Sequence, residues 1–304
     1  MGNKVILFGA GGAGESFTNN NTQYEIVAFT DNNQDVWGST LMDIPIIKPT
    51  EIVQHSFDYV IITSTWADSI QEQLIHVLNI PSCKVLVPAK SEIKLSTFPF
   101  EHLPTLQLAR EAMVAVSKYL TSHGVNLYVD FGTLLGLMRD GDIIPWDDDI
   151  DFAINDSEFE LAVRLMGNFM PIVPMREDIT WKITVVNQAG IDISINIELN
   201  PLKHSIFKAF SIGLAKRVNN KGNSEIIGLS GMLYAPLHHF VGHDSIDAFG
   251  HQFHTPNKPE EYLEFVYGDW KVPKKGMTFQ DYNNRNVIVD LNLDSIKFVK
   301  RSLA

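Results

Sequence analysis

The chain has 304 residues, of which 45% are hydrophobic, and a formal net charge of −12. This composition excludes a disordered chain, and the length predicts two domains with buried cores. The acidic balance argues against nucleic acid as a partner, because phosphate backbones are bound by basic surfaces. The charge is concentrated in residues 101–200, where 16 acidic side chains face six basic ones.

The cellular compartment is also constrained by composition. The single Cys83 excludes an internal disulfide framework and a cysteine-built zinc site, which favours a reducing cytoplasm. No apolar run approaches the roughly 20 residues that span a bilayer, and the first residues lack the apolar core of a signal peptide. We therefore expect a cytoplasmic protein.

The first part of the chain alternates predicted strands with helical spacing. Apolar runs predicting strands lie at residues 4–8, 25–30, 59–63 and 84–87, and residues 69–78 have the spacing of a helix. This alternation predicts an α/β chain that begins with a small Rossmann-like, doubly wound parallel sheet. We place this domain at residues 1–95 and a second domain at 96–304, with the proline-containing stretch 88–104 as the linker.

A glycine-rich turn follows the first predicted strand. Gly9, Gly11 and Gly14 have the spacing of a dinucleotide-binding loop, and Asp31 ends the second strand, where an acid would meet a ribose. The segment resembles small Rossmann-like domains found beside bacterial sugar-modifying enzymes, which implies a bound nucleotide or nucleotide-sugar. The alternative is a glycine turn that only joins strand to helix.

The second domain is predicted to be α+β, with a mixed sheet. Apolar residues from Leu106 to Leu120 repeat at three and four positions, which predicts an amphipathic helix. Strands are predicted at 126–131, 149–154, 181–186 and 191–199, the last two forming a hairpin.

Residues 201–220 interleave apolar side chains with Lys203, Lys208, Lys216 and Arg217, a pattern that predicts a further helix. Such a helix either packs on the core or rests on the anionic cytoplasmic leaflet of a membrane.

A run of acids carries the strongest chemical signal. Asp147, Asp148, Asp149 and Asp151 occupy four of five positions, and alternation along a strand puts the last two on one face. Carboxylates on a shared face repel unless a cation lies between them, and hard oxygen ligands suit Mg²⁺ or Mn²⁺. Asp192, on another predicted strand, is a third carboxylate that acts as ligand or general base.

Each of these acids has a simpler interpretation. The run could be a solvated acidic turn, and Asp192 could be a polar residue on the outer face of its strand.

At this motif the chain resembles the LicD family, whose relatives include fukutin and fukutin-related protein. The resemblance rests on residues 132–136, Arg139 and residues 144–151, and it extends over about residues 103–280. It implies a nucleotidyltransferase-type fold in which Asp149 and Asp151 are metal carboxylates.

The same resemblance implies roles for further residues. Asp192 would be the third metal carboxylate. Gly132 and Thr133 would form a loop whose backbone amides approach a phosphate, and Gly136 and Trp146 would line the substrate site. Independently of the resemblance, the aromatic residues within 267–270 are expected to form a lid packed on the core, the alternative being direct participation in the chemistry.

The implied reaction is Mg²⁺-dependent transfer of a phospho-substituent, phosphocholine or a phospho-alditol, from a CDP-linked donor. The acceptor would be a hydroxyl of a cell-surface glycan precursor, which suits peripheral contact with the cytoplasmic membrane leaflet. Asp192 would accept the hydroxyl proton and Arg139 would hold phosphate oxygens in bidentate fashion. Alternatively, Arg139 pairs locally with Asp140 or Asp142.

Three other functions compete with this one. The first is a nucleotidyltransferase that leaves the nucleoside monophosphate on its acceptor. The second is a Rossmann oxidoreductase dependent on NAD, and the third is a binding protein without catalytic activity.

Overall fold

The computed structural model describes residues 2–64, 66–88, 98–169, 178–188, 190–228, 231–274, 282–286 and 298–303. Within these residues the chain forms a parallel-stranded sheet near its N-terminus, followed by a larger mixed sheet with flanking helices. The predicted α/β fold class is confirmed. No helix of the described residues is both long and apolar enough to cross a membrane.

The first sheet lies within residues 4–86. Its strands are β1 (Lys4–Phe8), β2 (Glu25–Thr30), β3 (Thr40–Leu41), β4 (Ile44–Ile47), β5 (Tyr59–Ile62) and β6 (Val85–Leu86). Its helices are α1 (Gly12–Asn20) and α2 (Ala67–Glu72), the latter continued by a π-helical turn, Gln73–Val77.

The order of the strands in this sheet is β3-β4-β2-β1-β5-β6, and all neighbours except β3 and β4 run parallel. The chain builds outward from β1 through β2 on one side and through β5 on the other. The direction in which successive strands are added to the sheet therefore reverses between β1 and β5. In doubly wound sheets the ligand crevice lies at this position. The strands predicted at 4–8 and 25–30 form with those bounds.

The second sheet contains eleven strands. They are β7 (Leu127–Val129), β8 (Asp149–Asn155), β9 (Ile179–Gln188), β10 (Ile191–Pro201), β11 (Phe210–Asn220), β12 (Asn223–Gly228), β13 (Gly231–Pro236), β14 (Asp244–Ala248), β15 (His251–Thr255), β16 (Arg285–Asn286) and β17 (Phe298–Ser302). The accompanying helices are α3 (Leu103–Ser122), α4 (Phe131–Asp140), α5 (Asp156–Met166) and α6 (Pro259–Tyr267).

The main path of this sheet is β14-β15-β7-β8-β11-β10-β9-β17. Strands β8 and β11 are parallel, β9 and β10 form the predicted antiparallel hairpin, and β11 lies between β8 and β10. The side chains of Ile150, Ile212 and Ile197 point to one face of the sheet, where they are fully buried with α3 and α5. The opposite face of the same strands is therefore the one that carries the polar residues.

The predicted helix over residues 201–220 is wrong. Residues 210–220 form β11, at the centre of the sheet, because Ile212 and Leu214 alternate with smaller residues and pack into the core. Lys208 lies before the strand, Lys216 pairs with Asp156, and Arg217 is buried. Neither the core-packed helix nor the membrane-surface helix considered for residues 210–220 therefore forms.

A buried ion pair joins this central strand to α4 and α6. The Arg217 guanidinium donates to Asp130 Oδ2 at 2.6 Å and to the Tyr262 hydroxyl at 2.9 Å. Tyr262 in turn donates to Asp130 Oδ1 at 2.5 Å, and all three side chains are fully buried. Arg217 also lies 3.9 Å above the Phe240 ring. We call Asp130, Arg217 and Tyr262 the buried cluster.

We predict that Arg217→Met lowers the free energy of unfolding by about 3–5 kcal/mol, because it leaves the Asp130 carboxylate buried without its counter-charge. Urea denaturation measures the loss. The neighbouring Lys216→Met is the control, since Lys216 pairs with Asp156, whose side chain is 53% exposed; that change should cost less than about 1 kcal/mol. Equal losses in the two variants would contradict the role of the buried cluster.

Candidate active site

Three aspartates converge where the chain enters β8. Asp147, Asp148 and Asp149 each offer a carboxylate oxygen, and these oxygens lie within 4.8 Å of one another. A turn produces this arrangement: the Asp147 N–H donates to Ile144 O at 3.1 Å, and the Asp148 N–H donates to Asp147 Oδ1 at 3.1 Å. The donor set consists of hard oxygen ligands, which fits Mg²⁺ or Mn²⁺.

Asp151 lies beside this group on the same face of β8. Burial raises the pKa of its carboxyl well above the ordinary value, and the negative charge of Asp147 raises it further. A hydrogen bond from the backbone N–H of Gly132 acts in the opposite direction. Asp147, Asp148 and Asp149 thus lie close to a buried carboxyl of the same charge, and whether they hold a cation stays a prediction.

The start of α4 lies against these carboxylates. Asp130 caps the helix by accepting from the Phe131 N–H at 2.8 Å, and Phe131 has a φ of 44°. A Cβ on Gly132 would lie only 2.6 Å from Asp147 Oδ2, so a larger residue here would displace the Asp147 carboxylate. Thr133 is buried, and its Oγ1 accepts from the Asp151 N–H at 2.8 Å.

The predicted loop at Gly132 and Thr133 is wrong, whereas contact between their backbone amides and a phosphate stays a prediction. Strand β7 ends at Val129, and residues 132–136 belong to α4 rather than to a loop. Thr133 Oγ1 already supports β8. Gly136 is buried, and a Cβ there would lie 2.5 Å from Asp142 O, so this glycine serves close packing.

Arg139 and Trp146 lie on the wall of a cleft beside the carboxylates. The Arg139 guanidinium donates from Nε and from Nη2 to Asp140, the latter at 2.7 Å, and its side chain is 7% exposed. It also lies 6.0 Å from the centre of the Trp146 ring. Asp142 pairs with Arg110 instead. The local partner of Arg139 is therefore Asp140, and its role in holding phosphate stays a prediction.

Asp192 does not join the carboxylates. Across β8, β11 and β10, Asp151 aligns with Gly213 and Asn196. Asp192 is four residues further along β10, roughly 13 Å along the strand and roughly 10 Å across two strand spacings. It accepts instead from Asn187 at 2.8 Å and from Arg301 at 3.2 Å. At this distance from Asp151, Asp192 is neither a third ligand of the same metal ion nor the general base.

The cleft beside Asp147 has a volume of about 100 Å³ and a largely aromatic wall. Tyr267, Trp270 and Tyr282 line it together with Trp146, and Lys274 lies at its edge. Tyr267 and Trp270 are both buried, in agreement with the expected lid. Sequence reasoning missed Tyr282 and Lys274, because both follow the last predicted element and no periodic pattern marks them.

The N-terminal glycines lie at the carboxyl end of β1, as predicted. Gly9 has a φ of 128°, and a Cβ there would lie 2.4 Å from Thr63 O. A Cβ on Gly14 would lie 2.4 Å from Gly9 O, whereas one on Gly11 would meet nothing within 4 Å. The loop is thus closely packed at its ends and open at its middle.

Asp31 supports this loop directly. Its carboxylate accepts from the Ala10 N–H at 2.9 Å and from the Asn33 N–H at 2.8 Å. Whether it also meets a ribose stays a prediction.

We predict that Gly132→Ala weakens Mn²⁺ binding at least tenfold, because the added methyl group displaces the Asp147 carboxylate. Isothermal titration calorimetry measures the affinity. Gly213→Ala is the control: it lies beside Asp151 on the next strand, but a Cβ there would come no closer than 4.0 Å to its nearest neighbour. Wild-type affinity in the Gly132→Ala variant would show that Asp147 is not a ligand.

Comparison with solved structures yields distant likenesses only. A UDP-D-quinovosamine 4-dehydrogenase from Vibrio fischeri is 23% identical over 30% of this chain and 83% of that chain, with a TM-score of 0.25. A myo-inositol dehydrogenase from Corynebacterium glutamicum is 14% identical over 78% of this chain and 75% of that chain, with a TM-score of 0.23. Neither likeness supports a functional argument. No curated protein matches the chain.

Two family models match separate parts of the chain. Residues 1–86 match the N-terminal domain of C2185-like proteins. Residues 124–258, which include α4, the acidic run and β11, match the LicD/FKTN/FKRP nucleotidyltransferase domain. The resemblance inferred from the acidic motif is therefore confirmed for residues 124–258, the segment that is similar to this transferase family.

Proposed function

We propose that the protein transfers a phospho-substituent, phosphocholine or a phospho-alditol, from a CDP-linked donor to a hydroxyl of a cell-surface glycan precursor. The observation that carries the proposal is the convergence of Asp147, Asp148 and Asp149 at the mouth of an aromatic cleft. The match of residues 124–258 to the LicD/FKTN/FKRP nucleotidyltransferase domain supports it.

In this proposal Asp147, Asp148 and Asp149 hold Mg²⁺ or Mn²⁺. When bound, such a cation neutralises the negative charge that develops on the phosphates during transfer. The chain's own residues do the positioning: Gly132 leaves room for the Asp147 carboxylate, and Thr133 fixes the backbone of β8 behind it.

The proton of the acceptor hydroxyl needs a base near the carboxylates. Asp192 is too distant, whereas Asp151 lies on the same face of β8 as Asp149, beside the proposed cation site. A carboxylate in that place can accept the proton of a hydroxyl bound at the cation. We assign this role to Asp151.

The aromatic cleft accommodates part of the donor. Trp146 and Trp270 line it, Lys274 places a positive charge at its edge, and the guanidinium of Arg139, paired with Asp140, lies on its wall. These cationic groups suit the phosphates of the donor.

A nucleotidyltransferase is the second candidate, favoured by the name of the matching domain model. It would leave the nucleoside monophosphate on the acceptor and release pyrophosphate from a nucleoside triphosphate. Release of CMP from a CDP-linked donor supports the first candidate, and release of pyrophosphate from CTP supports the second.

We further propose that the open middle of the glycine loop, at Gly11, binds a nucleotide or nucleotide-sugar. Two observations support this site: the order in which strands are added reverses between β1 and β5, and Gly9 and Gly14 are closely packed at the two ends of the loop. Calorimetric titration of the intact chain with UDP-sugars and with NAD⁺ tests it, and the absence of heat with every ligand would refute it.

We predict that Asp149→Asn lowers CMP release at least 100-fold when the protein is supplied with Mg²⁺, CDP-choline or CDP-glycerol, and a lipid-linked glycan acceptor. The loss follows because one carboxylate of the cation site becomes a neutral amide. Chromatography of the released nucleotide measures the rate.

The matched control is Asp192→Asn, which makes the same chemical change at a carboxylate outside the site. Its rate should stay within twofold of wild type. Equal losses in the two variants, or full activity in Asp149→Asn, would contradict the assignment.

A further inference from the structure

Two tyrosines that line the cleft are hydrogen-bonded to each other through their hydroxyl groups. The rings of Tyr267 and Tyr282 meet edge to face with centroids 4.8 Å apart, and Tyr282 stacks on Phe131 at 6.1 Å. The Tyr267 hydroxyl donates to the Tyr282 hydroxyl oxygen at 3.3 Å. Phe131 is the first residue of α4, so Tyr282 is fixed against the same helix start that carries Gly132.

The hydrogen bond between the two tyrosines uses only one of their two hydroxyl hydrogens. A phenol has a single O–H, and that of Tyr267 is committed to the Tyr282 oxygen. The Tyr282 O–H then points elsewhere. Because Tyr282 is only half-buried and lines the cleft, water or a ligand in the cleft can accept this hydrogen.

The surroundings of Tyr282 indicate which ligand atom accepts this proton. Tyr282 lines the same cleft as Gly132, Asp147 and Lys274. Its phenol also experiences the negative charges of the acidic run, which raise its pKa in addition to the effect of burial. The neutral Tyr282 hydroxyl lies between the carboxylates and Lys274. In that position it can donate to an anionic oxygen of a ligand that also contacts the proposed cation site.

We propose that Tyr282 donates a hydrogen bond to a phosphate oxygen of the donor substrate, and that Tyr267 is the positioning residue that orients this O–H. The inference rests on the proposed function and deepens it, because it assigns phosphate recognition to the aromatic wall. No proton is transferred: the phenol remains protonated and acts as a hydrogen-bond donor. Ring packing does not explain the pair, since phenylalanine would fill the same space.

The test uses Tyr282→Phe, Tyr267→Phe and the double variant in the intact chain. Removal of one preorganised donor to a transferring group costs roughly 100-fold in kcat, the loss expected for Tyr282→Phe. Tyr267→Phe keeps the donor but loosens its direction, so its loss should be about tenfold. The double variant should be no slower than Tyr282→Phe, because Tyr267 acts only through Tyr282.

A binding measurement accompanies the kinetics. Calorimetry with CMP in the presence of Mg²⁺ should show an affinity about tenfold weaker in Tyr282→Phe than in wild type, with an unchanged melting temperature. Tyr119→Phe is the control: its hydroxyl donates to Leu165 O at 3.0 Å, away from the cleft, and kcat should not change. If Tyr282→Phe lowers the melting temperature, Tyr267→Phe carries the test, and an unchanged kcat there overturns the proposal.

The outcomes separate this inference from the proposed function. Wild-type kcat and CMP affinity in Tyr282→Phe overturn the inference alone, and independent losses that multiply in the double variant overturn the positioning role of Tyr267. Tyr282-dependent binding of CMP without transfer from any CDP-linked donor overturns the proposed reaction but supports the inference. Wild-type protein that binds no CMP overturns both.

Discussion

The buried ion pair between Asp130 and Arg217 is the constraint on which the site depends. Arg217 extends from β11, the strand beside β8, and Asp130 is the residue that caps α4. Two charges without solvent must keep their geometry, since loss of either partner leaves the other uncompensated. The Tyr262 hydroxyl forms hydrogen bonds with both residues, which connects α6 to the ion pair. The start of α4 is thereby held at a fixed place above β8.

That placement explains how the protein tolerates so many adjacent carboxylates. The fixed helix start directs the Gly132 N–H toward Asp151 and leaves only the space of a hydrogen atom beside Asp147. Burial raises the pKa of the Asp151 carboxyl, and the negative charges of Asp147, Asp130 and Asp148 raise it further. The divalent cation that we propose here would offset part of this negative charge.

Local sequence patterns predicted part of the site because alternation along a strand is a local property. Asp149 and Asp151 share a face for that reason, and Ile150 faces the core. The position of Asp192 could not be predicted, because its distance from Asp151 depends on β11 lying between β8 and β10, and strand order is not a local property of the sequence. The sequence of β11 was itself predicted to be a helix, since a short run of apolar and basic residues fits both the helical and the strand periodicity. Tyr282 and the buried cluster depend on contacts between residues far apart in the chain.

The central claim is that the acids at the entrance of β8 form one cation site from which Asp192 is excluded. Anomalous diffraction from crystals soaked in Mn²⁺ tests it most directly. The account predicts a single strong peak in this part of the structure, within coordination distance of the Asp147, Asp148 and Asp149 carboxylates. A peak at Asp192, or no peak near Asp149 at saturating Mn²⁺, would contradict it.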